Sequence, residues 1–384
     1  MRKPRGVLLP PVARGRVRRG DVYRALRAAI LEGVLRPGER LPSSRQAAAD
    51  YGVSRGMVDE VFAQLSEEGF LDRAVGRGTF VSRSLAGLSV PARRAGRKPP
   101  AGPSRRGATI AANAACREPL LPRPFNAGTA DTSEFPWKVW QRMQGRALRE
   151  LGASAFEFAD PRGLPELRAA LARYLAQFRG LRCSASQVIV FSSAQQALYA
   201  LALLLLDPGD GVWIEDPCYL GARAAFGITG ANMTPVPVDD QGLIVDAGIR
   251  RARRARLAYV TPPHQYPTGV ALSLDRRIAL LDWASRNDSW IVEDDYDGQF
   301  RYEGQPLTPL YSLDPHGRVL YIGTLNKAMF VSLRLAYAVV PEDLVEPLAN
   351  VRTQLDGFTP AVSQMAMTLF MEEGHFSSHL RRDA

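Results

Sequence analysis

Apolar positions near the start of the chain recur at helical spacing. Over residues 21–32 they fall at Val22, Leu26, Ala29 and Ile30, one face of a 3.6-residue period. Gly33 and Pro37 end that helix. Leu41-Pro42 then leads into Ser43-Ser44-Arg45-Gln46, a capping box in which Ser43 and Gln46 satisfy each other's backbone donors. The second helix stops at Tyr51-Gly52, and Ser54 caps a third with an inner face of Val58, Val61, Phe62 and Leu65. Helix, glycine turn, helix is the helix-turn-helix pattern. Two short apolar runs, Gly69-Phe70-Leu71 and Thr79-Phe80-Val81, bracket Gly76-Arg77-Gly78 and predict a two-stranded wing.

The pattern is lost over residues 84–119, which are rich in Arg, Ala, Gly and Pro and predict a flexible basic tether. From about Leu120 short apolar runs alternate with helical segments. Strands are expected at 188–191, 211–215, 257–260, 290–295 and 319–323, and a helix at 197–206. That alternation implies a mainly parallel α/β sheet, with ligands at the carboxyl ends of its strands. The chain thus divides into a winged helix-turn-helix at 12–83, a linker at 84–119 and an α/β domain at 120–384.

Charge sharpens this division. Residues 1–119 hold 23 Lys/Arg against 10 Asp/Glu, and residues 120–384 hold 26 against 29. A basic front on a near-neutral body points to double-stranded DNA as a partner of the front module. No apolar run is long enough to span a bilayer, so no membrane partner is expected. Three widely spaced cysteines offer neither metal spacing nor a disulfide framework, which suggests a reducing cytoplasm and no metal.

The front module resembles the winged helix-turn-helix of GntR-type regulators, through LRAAILEGVLRPGERLPSSRQAAADYGVSR and QLSEEGFLDRAVGRGTFV. The resemblance implies that Arg45, Ser54, Arg55 and the wing residues Gly76, Arg77 and Gly78 face DNA. Their places in the first turns of two helices agree for Arg45 and Arg55. Asp59 and Glu60 depart from the pattern, since both would repel phosphate if they faced it.

In the large domain the informative residue is Lys327. Of 49 Lys and Arg only Lys3, Lys98, Lys138 and Lys327 are lysine. A desolvated lysine can lose its proton and attack a carbonyl, which arginine cannot. Taken alone, Lys327 reads equally as a surface lysine in a loop. The blocks FADPRGLPELRAALARYLAQFRGLRC, SSAQQAL, LDPGDGVWIEDPCYLGAR, TPPHQYPTG, WIVEDDYDGQFRY and YIGTLNK, with LRLAY after it, resemble fold type I aminotransferases. The version resembled is the one fused to GntR modules, the MocR group. The resemblance implies pyridoxal 5′-phosphate (PLP), with Lys327 forming the Schiff base and Asp294 on the pyridinium nitrogen. Tyr296 would bind the phenolic oxygen and Tyr219 stack on the ring. Ser193, Ala194, Gln195, Thr324 and Arg334 would hold the phosphate, and His264 would lie in the substrate-side loop. Singly, Asp294 reads also as a strand-end cap and Tyr219 as a core tyrosine.

Three departures stand out: Asn326 for a serine, Ser193 for a glycine, and a chain that stops where relatives build most of a small domain. With that region goes the arginine for a substrate carboxylate. Slow, partial turnover is expected, with an uncovered apolar flank near Val362, Met365, Leu369 and Phe370. The function expected is a homodimeric PLP-dependent transcriptional regulator that senses a vitamin B6 form or an amino compound. The alternatives are an aminotransferase with an appended DNA-binding module, and a DNA-binding protein whose large domain is only a dimerisation scaffold.

Overall fold

The computed structural model describes residues 9–12, 17–74, 78–86, 102–112, 132–299 and 307–383. They fall into two compact units, 1–102 and 103–384.

In the first unit α1 (Arg19–Leu31), α2 (Ser44–Tyr51) and α3 (Arg55–Glu67) bury the apolar faces read from the sequence, including Val22, Leu26, Val58, Val61 and Phe62. Ser43 Oγ accepts from the Gln46 amide at 3.3 Å, and Ser54 Oγ accepts from the Met57 amide at 3.3 Å. The reciprocal half of the expected capping box, from the Gln46 side chain, does not form. Gly52 ends α2 with φ 67°, a left-handed cap that favours glycine. β1 (Leu71–Ala74) and β2 (Gly78–Val81) pair antiparallel, Leu71 opposite Val81, and make the wing.

The second unit opens with a difference from the expected tether. Residues 105–112 form a helix, α4 (Arg105–Ala112), because Ser104 Oγ caps the Gly107 amide at 3.0 Å and alanines follow. Then come α5 (Trp137–Leu151), α6 (Pro165–Tyr174), β3 (Val188–Phe191), α7 (Ala194–Leu205), β4 (Gly211–Asp216) and α8 (Leu220–Gly227). β5 (Asn232–Asp239), β6 (Gly242–Leu243), α9 (Val245–Ala252), β7 (Leu257–Val260), α10 (Leu274–Asn287) and β8 (Trp290–Asp295) follow. The chain continues through α11 (Leu310–Leu313), β9 (Val319–Thr324), β10 (Ala336–Val339), α12 (Glu342–Leu355), α13 (Ala361–Glu372) and α14 (His375–Asp383).

Among the described residues of this unit the strands form one sheet in the order β3-β10-β9-β8-β7-β4-β5-β6. β9, β8, β7, β4 and β5 run parallel, while β10 is antiparallel to both its neighbours and β6 to β5. Two longer strands escape the sequence reading. β5 carries Pro235 and Pro237, which argue against a strand except near an edge, and its outer neighbour is only the two-residue β6. β10 is a four-residue run hidden inside the stretch after Lys327.

The flank expected to be uncovered is instead core. Met365, Leu369 and Phe370 are buried and Val362 is half-buried, against Phe135, Trp140, Met143 and Phe376. The packing comes from α5 and the α14 segment, which close over α13; the Phe370 and Trp140 rings meet edge to face at 5.8 Å. Truncating a fully buried ring leaves a cavity, so Phe370→Ala should cost about 3–5 kcal/mol in urea unfolding. A loss below about 1 kcal/mol would mean that the ring is not core.

Candidate functional site

A cleft of about 400 Å³ opens at the carboxyl ends of the central strands. Ser193, Ala194, Gln195, Tyr219, Asp294, Tyr296, Thr324, Lys327 and Arg334, all singled out from the sequence, line it together. Four parts of the fold bring them there: the N-terminus of α7, the turn after β4, the end of β8, and the segment from the end of β9 to β10.

Asp294 is the deepest of them. Tyr259 donates its hydroxyl to Oδ2 at 2.8 Å, while Oδ1 is buried with no partner among the described residues. Burial pushes this carboxyl up to about 6; the Tyr259 hydroxyl and the Lys327 ammonium pull the other way. The Lys327 Nζ lies over the Tyr296 ring, 4.3 Å from its centroid. Tyr219, Tyr266 and Tyr296 form an edge-to-face series, each neighbouring pair 5.8 Å apart. Burial holds the Tyr296 hydroxyl well above the ordinary phenol value.

The residues that depart from the family pattern have local work in the structure. Ser193 has an extended backbone that any residue adopts, and its Oγ caps α7 by accepting from the Gln196 amide at 3.1 Å. Asn326 Oδ1 accepts from the Leu335 amide at 2.9 Å, which closes the loop that carries Lys327. Arg334 ends that loop in the left-handed region at φ 57°. For a non-glycine residue this costs about 1 kcal/mol or more, and such strain collects at functional sites. Close approach fixes two glycines. A side chain at Gly323 would meet the Tyr337 hydroxyl at 2.4 Å, and one at Gly221 would meet Gln195 Oε1 at 2.2 Å.

His264 stands apart from the lining: its Nδ1 faces Asp297 Oδ1 at 3.1 Å. Burial raises the Asp297 carboxyl, with His264 and Lys327 opposing. Sequence reading passed over Tyr259 and Tyr266 in the cleft. It passed over Glu215 too, a buried acid pushed by its burial up to about 7. Glu215 accepts from the Thr261 hydroxyl at 2.8 Å and from Gln265 at 3.2 Å, and so ties the Tyr266 loop to β4. A polar residue at the end of an apolar strand was the available signal.

In the front unit Arg45 and Arg55 are exposed in the first turns of α2 and α3, and Ser54 caps α3. Gly78 sits at φ 106° with the Arg40 guanidinium beside it, while Gly76 and Arg77 lie outside the described residues. The two acids expected to repel phosphate are engaged. Asp59 lies 3.5 Å from Arg55 and 3.4 Å from Arg73, and Glu60 lies 3.4 Å from Arg19. Helical spacing placed Asp59 beside Arg55, but only the wing could bring Arg73 to it.

Residues 126–382 match the aminotransferase class I and II family, and residues 18–81 match the gntR family of bacterial regulatory proteins. The probable rhizopine catabolism regulatory protein MocR of Rhizobium meliloti is 38% identical over 94% of this chain and 73% of that protein. The pyridoxine biosynthesis transcriptional regulator PdxR of Corynebacterium glutamicum is 32% identical over 93% of this chain and 73% of its own. Among solved structures, the kynurenine aminotransferase of Pyrococcus horikoshii, in complex with PMP, superimposes with a TM-score of 0.63 at 27% identity. That match covers 67% of this chain and 65% of the enzyme. LysN of Thermus thermophilus, an alpha-aminoadipate aminotransferase complexed with N-(5'-phosphopyridoxyl)-L-leucine, gives 0.62 at 30% identity, over 67% of this chain and 65% of LysN.

The buried acids set a pH dependence. Burial raises the carboxyls of Asp294 to about 6, from 3.8, and of Glu215 and Glu293 to about 7, from 4.5. A carboxyl raised on folding contributes stability below its unfolded value and loses it as pH rises through the folded value. The melting temperature of the protein without added ligand should therefore fall from about pH 5 to about pH 8. Asp294→Asn should make that slope shallower; a slope equal to wild type would show that Asp294 does not titrate in this range.

Proposed function

Because the chain belongs to the MocR group of GntR-type transcriptional regulators, in which an aminotransferase class I and II domain follows a winged helix-turn-helix, we propose that it regulates transcription by binding PLP in the cleft and DNA through its front module. The observation that carries the cofactor reading is the Oδ1 of Asp294, buried without a partner among the described residues in a cleft that Lys327 also lines. A buried acceptor without a donor is costly, and a protonated ring nitrogen fits it.

The rest of the lining suits the same group. The first-turn amides of α7 are unused within the helix, and at Ala194 and Gln195 they would meet a phosphate, with Thr324 and Arg334 completing its shell. Tyr219 offers a ring face and Tyr296 a phenol donor. Bound there, PLP supplies an electron-withdrawing ring and an aldehyde that condenses with amines. Asp294 would keep the ring nitrogen protonated, and Lys327 would provide the amine that ties the group to the chain. His264, placed outside the lining, would act at the entrance through Asp297. The effector would be a vitamin B6 form or an amino compound that competes for the same aldehyde. The protein would act as a homodimer on two half-sites in the cytoplasm, with Arg45, Ser54, Arg55 and the wing at Gly76, Arg77 and Gly78 on the DNA.

Two outcomes follow. Purified protein mixed with PLP should develop a visible absorbance band that borohydride fixes to one peptide, and Lys327→Ala should lack it. The same band in Lys327→Ala would remove Lys327 from this role. On its operator, Arg55→Ala should weaken binding by about 1–3 kcal/mol, with a smaller loss on random duplex if Arg55 reads a base. Unchanged affinity on both duplexes would sink the DNA assignment.

A further inference from the structure

β8 ends in three consecutive carboxylates, Glu293, Asp294 and Asp295, all buried. Side chains alternate across a strand, so Asp294 faces the cleft while Asp295 points behind it. There it meets Arg179, which a π turn, Leu175–Arg179, appends to α6. Such turns re-aim side chains and gather at functional sites. The Arg179 side chain is 4% exposed and the Asp295 side chain 1%.

The contacts around this pair converge on one turn. Arg179 Nη2 donates to Asp295 Oδ2 at 2.5 Å, and the Tyr321 hydroxyl donates to the same oxygen at 2.5 Å. Arg179 Nη1 donates to the Gly298 carbonyl at 2.6 Å. A side chain at Gly298 would lie 2.0 Å from Asp295 Oδ1, so none fits. Gln299 Nε2 then donates to the Thr324 carbonyl at 2.9 Å, which ties the far end of the turn to the start of the Lys327 loop. Between these anchors sits Tyr296, with the lysine amine over its ring. Neither Arg179 nor Asp295 lines the cleft.

A buried ion pair is a weak device for stability, because apolar residues of the same volume often serve as well. It does something that an apolar pair cannot: a charged fork bonds a carboxylate and a carbonyl in one fixed geometry. We propose that Arg179 and Asp295 are positioning residues, which hold Tyr296 beneath the Lys327 amine from behind the sheet and so set that amine's reactivity. The inference rests on Lys327 being the reactive amine of the cleft. A ring face under an ammonium favours the charged form, which does not acylate, as do the Asp294 and Asp297 carboxylates that feel the same charge; a loosened ring removes its share and raises the fraction of neutral amine.

The test is acylation of Lys327 by a small amine-reactive anhydride at one pH, in the full chain without cofactor, followed by mass spectrometry. Asp295→Asn and Arg179→Met should label about threefold faster than wild type or more, with Arg179→Lys between, as expected from loss of a cation–π contact. Leu348→Ala, a core variant in a different apolar cluster, should lower the melting temperature and leave Lys327 at the wild-type rate. Wild-type labelling in folded Asp295→Asn and Arg179→Met overturns the proposal, as does an equal rise in Leu348→Ala. Should neither clamp variant fold, Tyr321→Phe removes one donor to Asp295; faster labelling there supports the clamp and an unchanged rate overturns it. The labelling needs no cofactor. A wild type that takes up no PLP therefore overturns the cofactor reading, while the comparison of labelling rates still decides the clamp.

Discussion

The cost of burying three adjacent carboxylates at the end of β8 shapes the large unit. An isolated buried carboxylate is strongly unfavourable, so each must find a separate answer. Glu293 accepts from the Leu310 and Tyr311 amides, both at 2.8 Å, and thereby fixes the start of α11. Asp295 takes Arg179 and Tyr321, which tie β8 to the end of α6 and to β9. Asp294 takes Tyr259 from the neighbouring β7 and leaves one oxygen open to the cleft. The alternation of a strand sends Glu293 and Asp295 to one side and Asp294 to the other. Asp295 Oδ1, like Asp294 Oδ1, has no hydrogen-bond partner among the described residues, but only Asp294 lines the cleft. Structure and chemistry are thus divided between odd and even positions of the same strand.

The cleft follows from that arrangement. Parallel strands end together, so the loops after β3, β4, β8 and β9 gather at one edge of the sheet. Packing then brings polar atoms closer than side chains would allow elsewhere, which is why glycine stands at 221 and 323. Glu215 does for the Tyr266 loop what Asp295 does for the Tyr296 turn. A buried acid behind the sheet holds a tyrosine in front of it.

In the front unit the same physics is milder, because the charges are exposed. Asp59 between Arg55 and Arg73 joins the third helix to the wing. Exposed pairs of this kind add little stability. Their consequence is local: Asp59 has an arginine on either side, Arg55 from its own helix and Arg73 from the wing.

Much of this was legible in the chain. Helical periodicity fixed the inner faces of α1 and α3, because burial of one stripe is a local property of spacing. The rarity of lysine singled out Lys327, and apolar runs ending in acids located the strand ends. Other features were decided by tertiary structure alone. β5 is a strand despite its two prolines, because at that place in the sheet only a two-residue partner pairs on its far side. The flank of α13 is covered because α5 and α14 reach it from distant parts of the sequence. The partner of Asp295 is Arg179, 116 residues away, and no periodicity relates them. Spacing determines what faces inward within an element; which elements meet is decided by the packing that gives each buried charge a partner.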